Sequence, residues 1–184
     1  RATWDRFPNC PTCRAPFAVA AGVKVDRLLR LVGRSPGRHM PEAQCNLGVM
    51  YQNDTGVPRD YTKAVRLYQL AADQGHAEGQ YNLAMMYDNG TGVLQDSAEA
   101  ARQYRRAADQ GDAKAQYNLG CMYANGQGVQ QDTAEALRWL RKAAKQGDAE
   151  AKHNLKILED CLRTSAAAKP AASSPRACAH CRAA

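Results

Sequence analysis

The sequence predicts an all-α fold, a solenoid of helix-turn-helix repeats, and three observations support this prediction. Similar residues recur every 36 positions, apolar residues follow helical spacing within each unit, and glycines mark the middle and the end of each unit. Three full repeats are expected, followed by a capping helix and flanked by irregular termini. The recurring positions include Gln44, Gln80, Gln116 and Lys152.

The first helix of the second repeat is expected to run from about Glu78 to Asp88. His76 aligns with Asp112 and Asp148, which predicts that it occupies the start of this helix. The helix should end in the turn at residues 89–93, where two glycines permit left-handed backbone. Its predicted apolar face consists of Leu83, Met86 and Tyr87.

The second helix of each repeat has a clear predicted start and end. Asp96 is a natural N-cap, and Glu99 three residues later completes the sequence pattern of a capping box. Asp132 and Glu135 repeat this pattern one period later. The helix is expected to end at Gly111, a residue type common just past a helix C-terminus.

Three small residues of one second helix, Ala100, Ala107 and Ala108, predict that helices approach closely. Gly48, Ala84 and Gly120 occupy one repeat position, whereas the final helix, about Ala149 to Leu162, has Lys156 there. A more polar last helix suits a capping role, since stacked repeats need a solvated outer face.

Three stretches carry a resemblance to the Sel-1-like repeat family, relatives of the tetratricopeptide repeat. They are the A-x-x-N-L-G-x-x-Y stretch, the G-x-G-V turn with its following Asp, and the A-A-x-x-G ending, all between Pro41 and Arg163. This chain departs from the pattern at Asp54, which replaces a turn glycine, and at Ala84. The resemblance implies a right-handed superhelix whose concave face binds proteins or peptides. It also implies adaptor roles in assembling complexes, including ubiquitin-dependent degradation machinery.

By analogy with related repeats, the first helix of each hairpin would line the concave face. The alternative is that the side chains on this face only pack between layers or face solvent. The candidate partner-binding residues are Tyr81, Met85, Asp88, Tyr117, Cys121 and Ala124.

Three single cysteines, Cys45, Cys121 and Cys161, lie within predicted helices and share no repeat position. A disulfide ladder of the kind found in cysteine-rich bacterial members of the resembled family is therefore not expected. We expect these thiols to act as small buried hydrophobic groups.

The N-terminal pair Cys10-Pro11-Thr12-Cys13 has the spacing of a zinc knuckle. With the following Arg-Ala-Pro-Phe it resembles the end of a RING finger, a module that recruits a ubiquitin-conjugating enzyme. Residues 1–18 are thus interpreted as the C-terminal remnant of a RING-like finger, and residues 19–40 as a linker with a short helix. Two ligands cannot hold a RING zinc alone.

The C-terminal pair, Cys178 and Cys181, also has zinc-knuckle spacing. Residues 177–184 resemble the start of a MYND-type finger, and the Ala/Ser/Pro-rich residues 164–176 read as a flexible linker. No cofactor is expected in the solenoid (residues 41–163), and zinc is expected only at the termini of a full-length protein. Three other interpretations stay open: a redox pair, one shared four-cysteine site, and tails that bind no metal.

The distribution of charge and the motifs present argue against several classes of function. The net charge is +7, but residues 42–163 carry 14 basic and 16 acidic residues, so the excess lies on the flanks. A nucleic-acid groove, which needs clustered cations with stacking aromatics, is not expected. No apolar run reaches membrane-spanning length, and no catalytic constellation occurs in the repeats.

These observations predict a protein-interaction scaffold or adaptor whose partners are other proteins or peptides. The alternative is a fragment of a RING-type E3 ubiquitin ligase whose repeats recruit substrate. Unpaired thiols and zinc ligands favour a reducing compartment, cytoplasmic or nuclear. The chain begins at Arg1 within a motif, so a fragment of a longer protein is expected, and a signal peptide further upstream is compatible with this sequence.

Overall fold

A computed structural model describes the backbone of residues 40–167 and the side chains of residues 40–164. This part of the chain contains seven α-helices and no strand. Successive helices pair as hairpins, each hairpin packs on the next, and the last helix packs on the third hairpin. The arrangement confirms the predicted all-α repeat solenoid. The helices are α1 (Pro41–Asn53), α2 (Tyr61–Asp73), α3 (Ala77–Asn89), α4 (Ser97–Asp109), α5 (Ala113–Asn125), α6 (Thr133–Lys145) and α7 (Ala149–Ala167).

The predicted helix starts are confirmed by side-chain caps. Asp96 Oδ1 accepts hydrogen bonds from the backbone N–H groups of Ala98 and Glu99, both at 2.9 Å. His76 Nδ1 accepts from the N–H of Gly79 at 3.1 Å, which places the histidine at the start of α3. Each cap satisfies donors that the first helical turn leaves without a partner.

The predicted capping box is wrong in its second half. The N–H of Asp96 donates to the carbonyl oxygen of Tyr87 at 3.0 Å, so it is not available to Glu99. The Glu99 carboxylate instead accepts hydrogen bonds from Arg102 and Gln103 on its own helix. The cap therefore comes from the aspartate alone, and the same carbonyl bond ties the second helix to the end of the first.

The predicted small residues Ala100, Ala107 and Ala108 are buried, and the helices of the first and third hairpins also approach closely at Gly48 and Gly120. A Cβ atom added to Gly48 would lie 2.6 Å from Cε1 of Tyr68, and one added to Gly120 would lie 2.9 Å from Cγ of Leu140. Tyr68 and Leu140 are both fully buried, so a side chain at either glycine would displace the core.

Buried glutamines join successive repeats. Gln80 donates from Nε2 to the carbonyl oxygen of Ala72 at 3.3 Å, and its Oε1 accepts from Nε2 of Gln110 at 2.7 Å. The bond across repeats recurs at Gln116, which donates to the carbonyl oxygen of Ala108 at 3.1 Å, and the amide pair within a repeat recurs as Gln74 donating to Gln44 and Gln146 donating to Gln116. Lys152 occupies the same register in α7, where the side chain is exposed and the ladder ends.

The last helix is longer than the sequence suggested. The sequence predicts an end near Leu162, but α7 continues to Ala167, into the predicted linker that begins at residue 164. Alanine is the strongest helix former, and the hydroxyl of Thr164 donates to carbonyl oxygens of the preceding turn. Both features favour continuation of the helix.

The three single cysteines differ in burial. Cys45 is 1% exposed and confirms the prediction of a buried thiol, whereas Cys121 is half-buried and Cys161 is exposed. The prediction is therefore wrong for Cys161, since no second helix follows α7 in the described residues to cover it. Burial raises the pKa of the Cys45 thiol to about 12; the nearby Glu78 adds to the shift, and Asn82 opposes it.

This burial predicts a loss of stability in alkali. The thiol ionises near 9.0 when unperturbed and near 12 in the folded chain, so its contribution is complete below pH 9 and is lost as the pH rises toward 12. Between pH 8 and 10.5 the free energy of unfolding should fall by about 2 kcal/mol more in the wild type than in Cys45→Ala. Urea denaturation at both pH values measures this difference. Equal losses in the two proteins would contradict the prediction.

Candidate functional site

A cleft opens on the side of the solenoid formed by the first helices of the hairpins. It lies between α3 and α5, reaches the start of α7, and has a volume of about 710 Å³. This volume is in the range of clefts that hold a small ligand or a few residues of a peptide. Five of the six predicted contact residues line it: Tyr81, Met85, Asp88, Tyr117 and Cys121.

The sixth predicted residue, Ala124, does not belong to the cleft. It is 5% exposed and packs in the core cluster with Leu119 and Met122. Asp88 occupies the same repeat position one period earlier, and its longer polar side chain reaches the cleft. The short methyl group of Ala124 cannot do so, and the prediction for this residue is corrected.

Asparagines of one repeat hold tyrosines of the repeat before it. The Asn118 side chain opposes the rise that burial causes in the pKa values of Tyr81 and Tyr104, which places it near both hydroxyls, and the ring centroids of the two tyrosines lie 5.8 Å apart. One repeat later, Nδ2 of Asn154 donates to the hydroxyl of Tyr117 at 3.0 Å. The aromatic wall of the cleft is therefore positioned by side chains from the adjacent layer.

The cleft is acidic. Three carboxylates, those of Asp88, Asp148 and Glu150, line it with one cation, Lys114. Asp88 Oδ1 accepts from Nε2 of Gln127 at 2.8 Å, and Asp148 Oδ1 caps α7 through the N–H of Ala151 at 2.7 Å.

Burial raises the pKa of the Asp88 carboxyl above its usual range, and the bond from Gln127 opposes the shift. Burial also raises the pKa of Tyr81, with Asp112 and Glu150 adding to the effect. The shift at Asp88 means that its negative charge costs folding free energy at neutral pH. Such a cost is compatible with a role in binding.

Sequence reasoning did not select Asn118, Gln127, Asp148 or Glu150. The 36-residue recurrence of asparagine at positions 82, 118 and 154 was a usable signal for the first of these. Gln127, Asp148 and Glu150 line the cleft because of the positions of the turn after α5 and the start of α7. Residue spacing within a single helix cannot predict these positions.

The proposed zinc ligands Cys10, Cys13, Cys178 and Cys181 lie outside the described residues. Among residues 40–164, no group of three or more His, Cys, Asp or Glu side chains is arranged to hold a metal ion. None of the helices that the structure describes is both long and apolar enough to cross a bilayer.

Two solved structures of a Sel1 repeat protein and a protein with an SLR fold are similar to this chain. A Sel1 repeat protein from Oxalobacter formigenes is 38% identical, with a TM-score of 0.63 over 65% of this chain and 49% of that one. A protective antigen from uropathogenic Escherichia coli with an SLR fold is 36% identical, with a TM-score of 0.69 over 73% of this chain and 28% of that one. This chain thus spans about half the length of the first protein and less than a third of the second.

A third structure, the cysteine-rich protein B of Helicobacter pylori, supports the fold alone. It is 24% identical, with a TM-score of 0.56 over 73% of this chain and 98% of its own. A comparison with curated proteins finds no match.

The family model for the Sel1 repeat matches three consecutive segments, residues 41–76, 77–112 and 113–148. Each segment corresponds to one hairpin of the structure together with the turn that leads to the next. The matches cover more than half of the chain and coincide with the repeats that carry the cleft. The chain belongs to the Sel1 repeat family.

Proposed function

We propose that this chain is a protein-interaction scaffold whose cleft between α3 and α5 holds a segment of another protein. The observation that carries the proposal is the cleft itself, which is lined by half-buried Tyr81, Met85, Asp88, Tyr117 and Cys121. Aromatic and methionine side chains are enriched at protein interfaces. Membership of a repeat family that binds other proteins supports the same role.

The positioning of the tyrosines adds support. Tyr117 accepts a hydrogen bond from Asn154 of the adjacent repeat and Tyr81 packs against the Tyr104 ring, so little side-chain entropy is lost when a partner packs against them. Rigid aromatic side chains in a cleft are typical binding anchors.

Replacing both anchors tests the proposal. In Tyr81→Ala with Tyr117→Ala, we expect partner capture in a pull-down to fall about tenfold or more, since interface tyrosines commonly contribute over 1 kcal/mol each. Helicity measured by far-ultraviolet circular dichroism should stay intact. Tyr61→Ala, at an exposed tyrosine outside the cleft, is the matched control. Unchanged capture by the double variant would count against this face.

A ubiquitin-ligase role for the full-length protein stays a prediction based on Cys10 and Cys13. Six further Cys or His ligands at RING spacing upstream of Arg1 would support it, and a start codon near Arg1 would end it. Zinc content and a ubiquitin-transfer assay of the full-length protein test it independently of the cleft.

A further inference from the structure

We propose that the cleft binds an extended segment of a partner protein that carries a lysine or arginine side chain. The inference rests on the proposed function, because it names the chemistry of the segment that the cleft would hold. Three features of residues 40–164 support it: charge is distributed unevenly between the two faces, the cleft carboxylates form no salt bridge, and the surrounding groups suit a cationic side chain.

Charges are segregated between the first and second helices of the hairpins. The first helices α1, α3 and α5 carry three acidic residues and one basic residue, Lys114. The second helices α2, α4 and α6 carry nine Lys or Arg and four Asp or Glu. The net charge of residues 42–163 is thus close to zero even though the first helices are acidic and the second helices are basic.

The carboxylates in the cleft form no ion pair within residues 40–164, although Lys114 lines the same cleft. None of the salt bridges formed among residues 40–164 involves Asp88, Asp148 or Glu150. By contrast, Glu99 and Glu135 on the second helices each pair with an arginine three residues later. A cation from outside would be attracted to the cleft by complementary charge.

The remaining groups of the cleft suit a lysine or arginine on a peptide. The faces of Tyr81 and Tyr117 offer apolar and cation–π contact for the stem and head of such a side chain. Asn89 and Asn125, one repeat apart, line the same cleft and can hydrogen-bond the backbone of an extended segment. An acidic segment or a nucleic-acid phosphate would instead meet three carboxylates.

The test selects peptides from a random library of about twelve residues on the immobilised full chain at low salt. We expect enrichment of Arg and Lys over Asp and Glu. The best peptide should then bind Asp88→Asn with Glu150→Gln about tenfold more weakly, as expected for two lost partner charges. Asp109→Asn, the same change at an exposed position outside the cleft, should bind like the wild type. Raising NaCl to about 500 mM should weaken wild-type binding through screening.

Several results would overturn the inference. If the enriched peptides require Tyr81 and Tyr117 but not the carboxylates, the cleft still binds peptides, but the proposed preference for a lysine or arginine is wrong. If no peptide binds and the double tyrosine variant captures partners as well as the wild type, both the proposed function of the cleft and its preference for a cation are wrong. Tighter binding by a synthetic peptide of residues 27–38 would make the chain's own basic segment the occupant. Self-association that Asp88→Asn abolishes would make the occupant a second copy.

Discussion

Gly128→Ala is expected to destabilise the solenoid by about 3 to 4 kcal/mol, the sum of a left-handed backbone cost and a steric clash. Gly128 has φ +66°, and a Cβ atom there would overlap the carbonyl oxygen of Ser97 and lie 2.8 Å from the nitrogen of Ala98. These atoms belong to the start of α4, so the turn of one repeat packs directly on the second helix of the previous repeat. Urea denaturation of the full chain measures the loss.

The same turn contains the matched control. Gly126 has φ +67°, nearly the same backbone, but a Cβ there would lie no closer than 3.2 Å to its nearest neighbour, the Cβ of Gln131, a contact that a shift of a few tenths of an ångström relieves. Gly126→Ala should therefore cost about 1 kcal/mol, the backbone term alone. The chain already tolerates a side chain at the equivalent position, since Asp54 has φ +58°. If the two alanine variants unfold at the same urea concentration, the close approach at Gly128 does not limit stability.

The difference between these glycines shows what sequence reasoning can and cannot reach. The 36-residue recurrence and the cap residues predict α3 to within one residue at each end, because caps and turn glycines act locally. Both glycines read equally well as turn formers. Only the neighbouring repeat separates them, since it places the Ser97 carbonyl group against Gly128, whereas the nearest atoms to a Cβ at Gly126 belong to Gln131 of the same turn.

The errors have a common physical origin in contacts between elements. Glu99 satisfies the local pattern of a capping box, yet the carbonyl oxygen of Tyr87 takes the N–H that the box would have used. Cys161 lies in a helix like Cys45, but the position of α7 at the end of the described stack leaves it exposed. Local sequence patterns predict where each helix begins and ends. The contacts and the exposure of its side chains depend on the neighbouring helices.

The cleft could be predicted in part for the same reason. Tyr81, Met85 and Asp88 share one helix face, so periodicity alone groups them. Glu150 reaches the same cleft from α7, and Gln127 reaches it from the turn after α5. Whether Glu150 and Gln127 reach the cleft depends on how the repeats stack. Ala124 occupies the same repeat position as Asp88, but its side chain is too short to line the cleft.

The second large effect is expected at the glutamine ladder between repeats. Gln80 is 1% exposed, donates to the carbonyl oxygen of Ala72 and accepts from Gln110. Gln80→Glu at pH 7 places a carboxylate beside that carbonyl oxygen and removes the donor. Nη2 of Arg106 donates to the same carbonyl oxygen at 2.9 Å and would offset part of the cost of burying the charge, so we expect a loss of about 2 kcal/mol. Urea denaturation at pH 7 measures it.

The protonation state of the new side chain makes this prediction specific. A protonated glutamic acid can again donate to the Ala72 carbonyl oxygen, and burial raises the folded-state pKa of such a group. The free energy of unfolding of Gln80→Glu should therefore be close to that of the wild type below the pKa of the new carboxyl group in the unfolded chain. It should fall as the pH rises through the pKa of that group in the folded chain. Lys152→Glu introduces the same residue at the equivalent, exposed position of α7 and should change stability by less than about 0.5 kcal/mol. If Gln80→Glu showed no recovery between pH 7 and pH 4 relative to wild type, desolvation of the ladder would not be what couples the repeats.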